Sequence, residues 1–165
     1  MQKKKNQISG EIFYSALENH KKNNFQIAEK LYKNLLQNNP NHFDSNFLLG
    51  SLFIQTKNFN SAQKLLEKAI QINPKHADAH NNLGILFKEL GEFKKAISCY
   101  EKAIQMNSDF AEAYYNLGLM LYELENIQKA KNCYERAIQI NPKYSDAHNN
   151  LGILFKELGE FKKAI

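Results

Sequence analysis

Three asparagines, Asn82, Asn116 and Asn150, stand at intervals of 34 residues in a chain of 165. A side-chain amide carries both donor and acceptor, so each can bond the N–H and C=O of an extended peptide backbone without reading its side chains. Three in register would make a ladder for polypeptide. Carboxylates recur at the same interval, as Asp44, Asp78, Glu112 and Asp146. Other chemistry is thinly supplied. His76 and His80 lie four apart and His148 repeats His80, but no third ligand follows at metal-site spacing, so the sequence reads them as turn and packing residues. It contains no Gly-rich phosphate loop, nucleophile elbow or glutamate-histidine metalloprotease motif. The expectation is a non-catalytic chain with no cofactor and no metal.

The elements that would position these residues follow from a duplication. Residues 78–97, DAHNNLGILFKELGEFKKAI, return letter for letter at 146–165, and half that offset falls on the related stretch 112–131. A period of 34 is the signature of stacked repeats, each burying its apolar face against its neighbours. With Ala77 as repeat position 1, the units are 9–42, 43–76, 77–110, 111–144 and a partial 145–165. Each holds two apolar patterns of helical spacing, as in Leu83, Leu86, Phe87 and Leu90, then Phe93, Ala96, Ile97, Tyr100 and Ile104. The spacing predicts an all-α array of helical hairpins. Gly91 and Gly159 end the first helix of their units through positive φ, with Asn23, Lys57 and Glu125 at the equivalent sites. Asn39-Pro40, Asn73-Pro74 and Asn141-Pro142 end second helices.

Residue size repeats with the same period. Position 8 is Gly50, Gly84, Gly118 and Gly152 after Ala16, and position 20 is Ala28, Ala62, Ala96, Ala130 and Ala164. Since glycine inside a helix costs about 1 kcal/mol relative to alanine, its recurrence calls for close helix contact. Large residues complement the small ones, with Phe53, Phe87, Leu121 and Phe155 at position 11 and Tyr32, Leu66, Tyr100 and Tyr134 at position 24.

Composition narrows the partner classes. A hydrophobic content of 43% with 24% charged residues is that of a folding chain. No apolar run approaches the roughly 18 residues of a membrane span. Net charge is +5, but Lys3, Lys4 and Lys5 supply three of those charges, and Arg136 is the sole arginine. The remaining lysines are interleaved with glutamates, so no basic stripe for nucleic acid is expected. Residues 1–8 are read as a basic, unstructured terminus with no signal-peptide apolar region. Cys99 and Cys133 lie one period apart, and helices packed about 8–10 Å apart exceed the roughly 7 Å Cα limit of a disulfide. Two free thiols fit a reducing compartment, cytoplasmic or nuclear.

The set Leu83-Gly84, Phe87, Ala96, Tyr100 and Ala103 resembles the tetratricopeptide repeat, over about residues 9–165. Position 4, usually aromatic in that family, is so only at Tyr114; Ile12, Asn46, His80 and His148 depart from it. The resemblance implies a right-handed superhelical solenoid of helix-turn-helix repeats, with first helices lining a concave face. It implies that positions 2, 5, 6, 9, 12 and 13 point into that face. Peptide-binding residues would then be Asp78, Asn81 and Asn82, then Glu112, Tyr115 and Asn116, then Asp146, Asn149 and Asn150. The partner implied is a protein or peptide in extended conformation. The carboxylate clamp by which some members grip acidic chaperone tails is disfavoured, because position 2 is acidic throughout and position 5 is never lysine. The asparagine row resembles the ladder of the O-linked N-acetylglucosamine transferases, so an alternative reading is the substrate-recruiting region of a larger enzyme of that kind.

Ile165 stops the fifth unit at position 21, in its second helix. The expectation is an uncapped end presenting Phe155, Phe161, Ala164 and Ile165, either continuing into a longer array or stacking end to end with another copy.

Overall fold

The computed structural model of the chain describes residues 2–159, with side chains from residue 7 onward. Among the described residues there are nine helices and no strand. They fall into two compact units divided between Lys75 and His76. The first holds α1 (Gln2–Lys21), α2 (Phe25–Asn38), α3 (Phe43–Gln55) and α4 (Phe59–Ile72). The second holds α5 (Ala77–Glu89), α6 (Phe93–Met106), α7 (Ala111–Glu123), α8 (Ile127–Ile140) and α9 (Ser145–Glu157). Phe161, Ala164 and Ile165, expected to form the uncapped end, lie outside the described residues; Phe155 is buried.

Each hairpin closes where the sequence expects. Asn23, Lys57 and Glu125 have φ of 59°, 59° and 57°, and Gly91 and Gly159 have 72° and 70°. After α5 the Glu92 N–H donates to the Phe87 carbonyl at 2.8 Å and the Gly91 N–H to the Lys88 carbonyl at 3.0 Å. That pair of bonds satisfies carbonyls the helix end would otherwise strand. The same pair closes α3, with Asn58 donating to Phe53 and Lys57 to Ile54. Second helices end on Asn39, Asn73, Asn107 and Asn141, whose side-chain oxygens each accept the N–H two residues on. This local turn competes with helix continuation, and it holds at Asn107 although Ser108 replaces the proline.

Small residues meet large ones inside each hairpin. A Cβ on Gly84 would stand 2.5 Å from Tyr100 Cε1, one on Gly118 2.6 Å from Tyr134 Cε1, and one on Gly50 2.9 Å from Leu66 Cγ. Ala28, Ala62, Ala96 and Ala130 are fully buried, as are Ala69, Ala103 and Ala137. Between hairpins α2 packs on α3 in the first unit, and α6 on α7 and α8 on α9 in the second. First helices of the second unit also touch directly, α5 against α7.

Two expectations are revised. Helix α1 begins at Gln2, so residues 2–8 belong to a helix and not to an unstructured terminus. At Asn46 and His148, position 4 holds the loop between hairpins by hydrogen bonds where the family pattern would pack an aromatic. Asn46 Nδ2 donates to the Pro40 carbonyl at 3.0 Å and to the His42 carbonyl at 2.9 Å, and His148 Nε2 lies 3.0 Å from the Pro142 carbonyl.

Candidate functional site: the first-helix face of the second unit

Helices α5, α7 and α9 carry repeat positions 2, 5 and 6, and side chains of these helices bond across to the next first helix, three times with a 35-residue offset and once, from Asn81 to Glu112, with an offset of 31. Asn81 on α5 is 1% exposed; its Oδ1 accepts from Asn116 Nδ2 at 3.1 Å, and its own Nδ2 donates to Glu112 Oε1 at 3.1 Å. One step along, Asn150 Nδ2 on α9 donates to the Tyr115 hydroxyl at 3.1 Å. Nearer the helix ends Tyr122 Oη donates to Glu157 Oε1 at 2.7 Å. Position 5 of one repeat is therefore tied to position 6 of the next, twice in succession.

This pairing divides the nine sequence-predicted residues. Asn81 and Asn116 are buried, at 1% and 8% exposure, and serve contact between α5 and α7. Asn82, Asn150 and Tyr115 are half-buried, while Asp78, Glu112, Asp146 and Asn149 are exposed. The three position-6 asparagines are thus unlike one another: Asn116 sits inside, and Asn82 and Asn150 border solvent. The periodicity of 34 makes them look equivalent, whereas the bonding runs at 35.

Sequence reasoning missed Tyr144. Its ring centroid lies 5.1 Å from that of Tyr115 at 42°, and Tyr115 is 6.0 Å from Tyr134. Tyr144 immediately precedes α9, at the position occupied by His42, His76 and Phe110 in the other units. A ring at position 34 in four consecutive units was the available signal. His42 and His76 cap their helices there, their Nδ1 atoms accepting from the Ser45 and Ala79 N–H groups. Tyr144 makes no such side-chain cap bond and packs on Tyr115.

The electrostatics follow from burial beside carboxylates. Burial, together with the charges of Glu112 and Asp146 and with Tyr115, pushes the Tyr144 phenol up to about 12. Tyr115 is raised by burial and the Asp146 charge, against the opposing hydrogen bond from Asn150. Both phenols stay protonated through the physiological range and act as neutral donors and aromatic faces. Among the described residues no group of three His, Cys, Asp or Glu is placed to hold a metal ion.

In the first unit the corresponding face has other chemistry. Positions 5 and 6 are Phe13 and Tyr14 on α1, then Phe47 and Leu48 on α3. Tyr14 is 69% exposed, Phe13 packs edge-on to His42, and Phe43 stacks on Phe47 with centroids 6.0 Å apart.

Family comparisons bear on what such a face is for. Residues 86–124 match the TPR repeat family, and residues 111–144 and 133–165 each match a tetratricopeptide repeat. The chain is a tetratricopeptide repeat protein. Residues 21–102 of this tetratricopeptide protein also match the family of anaphase-promoting complex, cyclosome, subunit 3. Its fold class is the all-α one of helix-turn-helix repeats, and the architecture is that of a protein-interaction scaffold. A crystal structure of MamA is similar at 28% identity, covering 90% of this chain and 87% of that one with a TM-score of 0.81. Two more distant structures share the fold. PilF of Pseudomonas aeruginosa has 17% identity over 97% of this chain and 78% of that one, with a TM-score of 0.87. YrrB, described as a TPR protein with an unusual peptide-binding site, has 19% identity over 93% and 79%, with a TM-score of 0.73. No curated protein matches the chain. Among the described residues no helix is long and apolar enough to cross a membrane.

Proposed function

We propose that this tetratricopeptide protein is a non-catalytic scaffold that holds an extended polypeptide segment of a partner along the first-helix face of α5, α7 and α9. The supporting observation is the pair of inter-repeat bonds, Asn81 to Asn116 and Tyr115 to Asn150, which pre-organises three helices behind one polar face. A face already ordered in the free protein loses little conformational entropy when it binds. Asn82, Asn149 and Asn150 then meet the peptide backbone, Asp78, Glu112 and Asp146 border it, and Asn81 and Asn116 hold the helices at their spacing. The peptide-binding description of the similar YrrB agrees with this reading.

Site-specific photo-crosslinking tests it. A photoreactive residue at Ile85 or Ile153, on the first helices, should capture partner segments that lack secondary structure of their own. One at Glu101, exposed on α6, should not. Capture from Glu101 alone, or capture unaffected by Asn82→Ala with Asn150→Ala in a folded protein, would overturn the proposal.

A further inference from the structure

The face just described does not share the chain's overall charge. The whole chain carries +5, yet α5, α7 and α9 contain six acidic residues and two lysines. The second helices α6 and α8 reverse the balance, with six basic residues and two acidic. Of the lysines on the first-helix face, Lys88 is paired with its neighbour Glu89 at 3.5 Å. The acidic row at position 2 is placed differently. Glu112 accepts from the neutral amide of Asn81, which orients the carboxylate without cancelling its charge, and Glu112 and Asp146 are both exposed.

Glu112 lies about one helical turn before Tyr115 on α7 and Asp146 two residues after Tyr144, and the two rings lie 5.1 Å apart and are half-buried. Both carboxylates push the Tyr144 phenol up, which places their field on that ring. An aromatic face flanked by carboxylates suits the stem and head of a lysine or arginine, since the ring covers the aliphatic chain and attracts the cation. Spacing sharpens the match. Hydrogen bonds hold α5 to α7 and α7 to α9, and packed helices lie about 8–10 Å apart. A polyproline II segment presents every third residue on one side, about 9 Å further along. A strand, with its period of two, would turn alternate third residues away.

We infer that this face selects basic segments in polyproline II conformation, with lysine or arginine at every third position meeting Asp78, Glu112 and Asp146 in turn. One such side chain is seated on Tyr115 and Tyr144. This rests on the scaffold reading above and names the partner's chemistry.

The test is fluorescence anisotropy of labelled synthetic peptides made of about four repeats of Pro-Pro-Lys, Pro-Pro-Glu or Pro-Pro-Gln. Pro-Pro-Lys should bind at least about ten-fold more tightly than the other two, and more weakly as salt rises. Glu112→Lys with Asp146→Lys should reverse the preference between the lysine and glutamate peptides. Should that double variant lose helicity, the isosteric Glu112→Gln and Asp146→Asn must each weaken Pro-Pro-Lys binding about three-fold or more. Equal binding of all three peptides overturns the basic selectivity while leaving the scaffold reading intact. Failure of all three to bind overturns the polyproline II partner, while the scaffold reading is decided separately by the photo-crosslinking at Ile85 and Ile153. A Pro-rich peptide with its lysines in one block that binds as tightly as the spaced one overturns the three-residue register.

Discussion

Asn116 Nδ2 donates to Asn81 Oδ1 at 3.1 Å between two helices whose residues are 35 apart in sequence. The pair is buried, and Asn81 completes its bonding by donating to Glu112. The bond joins the first helices of consecutive repeats directly, in addition to the packing of α6 on α7. An amide ladder for a partner and an amide clasp between helices need the same residue type. Here burial assigns Asn116 to the clasp and leaves Asn82 and Asn150 at the solvent border.

Removing one partner of that clasp should cost more than removing both. Asn81→Ala leaves the Asn116 N–H and the Glu112 carboxylate without their partner, and an unsatisfied buried group costs about 1–3 kcal/mol. A double-mutant cycle with Asn116→Ala, read from urea midpoints, should show positive coupling of roughly 0.5–1.5 kcal/mol. Strictly additive losses would mean the bond contributes nothing.

The glycines under the tyrosines should resist enlargement. In Gly84→Ala the added methyl meets the rigid ring of fully buried Tyr100, so overpacking of about 1–3 kcal/mol opposes a helix-propensity gain of about 1 kcal/mol. The expected net result is a lower melting temperature. Tyr100→Leu in the same chain, copying the natural Gly50–Leu66 pair, should recover part of the loss.

Turn residues offer the opposite direction. Lys57 and Glu125 hold φ near +60°, where a side chain costs roughly 1–2 kcal/mol. Replacing either by glycine should raise stability by about 0.5–1 kcal/mol after the entropy of the freer unfolded chain is included. Gly91→Ala should lower it. Thermal melts of the three variants against the parent read both signs.

Alkaline pH should loosen the fold. The Tyr32 phenol is pushed up to about 12 by burial, and Tyr144 to the same value by burial and nearby carboxylates. Because the folded value lies above the ordinary 10, the unfolded chain releases these protons first as pH rises. Stability is therefore fully present below pH 10 and falls between pH 10 and 12, visible as a declining urea midpoint with tyrosinate absorbance rising on unfolding. Tyr32→Phe should flatten part of that decline. Since the Tyr32 and Tyr100 hydroxyls find no hydrogen-bond partner among the described residues, Tyr32→Phe and Tyr100→Phe should also leave stability at pH 7 unchanged or higher.

Much of this architecture is legible in the sequence, because the constraints are local or strictly periodic. Positive φ at Gly91 and Gly159, helix stops at Asn39, Asn73 and Asn141 before proline and the small-on-large pairs all depend on residue size and backbone freedom within one hairpin. Those properties repeat every 34 residues whatever surrounds them. Helix α1 escaped the same reading because its amino-terminal end carries charge and little apolar pattern.

The face proposed to meet a partner is another matter. Sequence determined that Asn82, Asn116 and Asn150 share a repeat position and that acidic residues share another. Tertiary structure decided that Asn116 turns inward to Asn81, that Asn150 serves Tyr115, and that Tyr144 joins the site from outside the helices. The reason is geometric: packing one helix against the next brings residue i beside residue i+35. An inter-repeat partner is thereby set by how neighbouring helices are staggered, which the period alone does not encode.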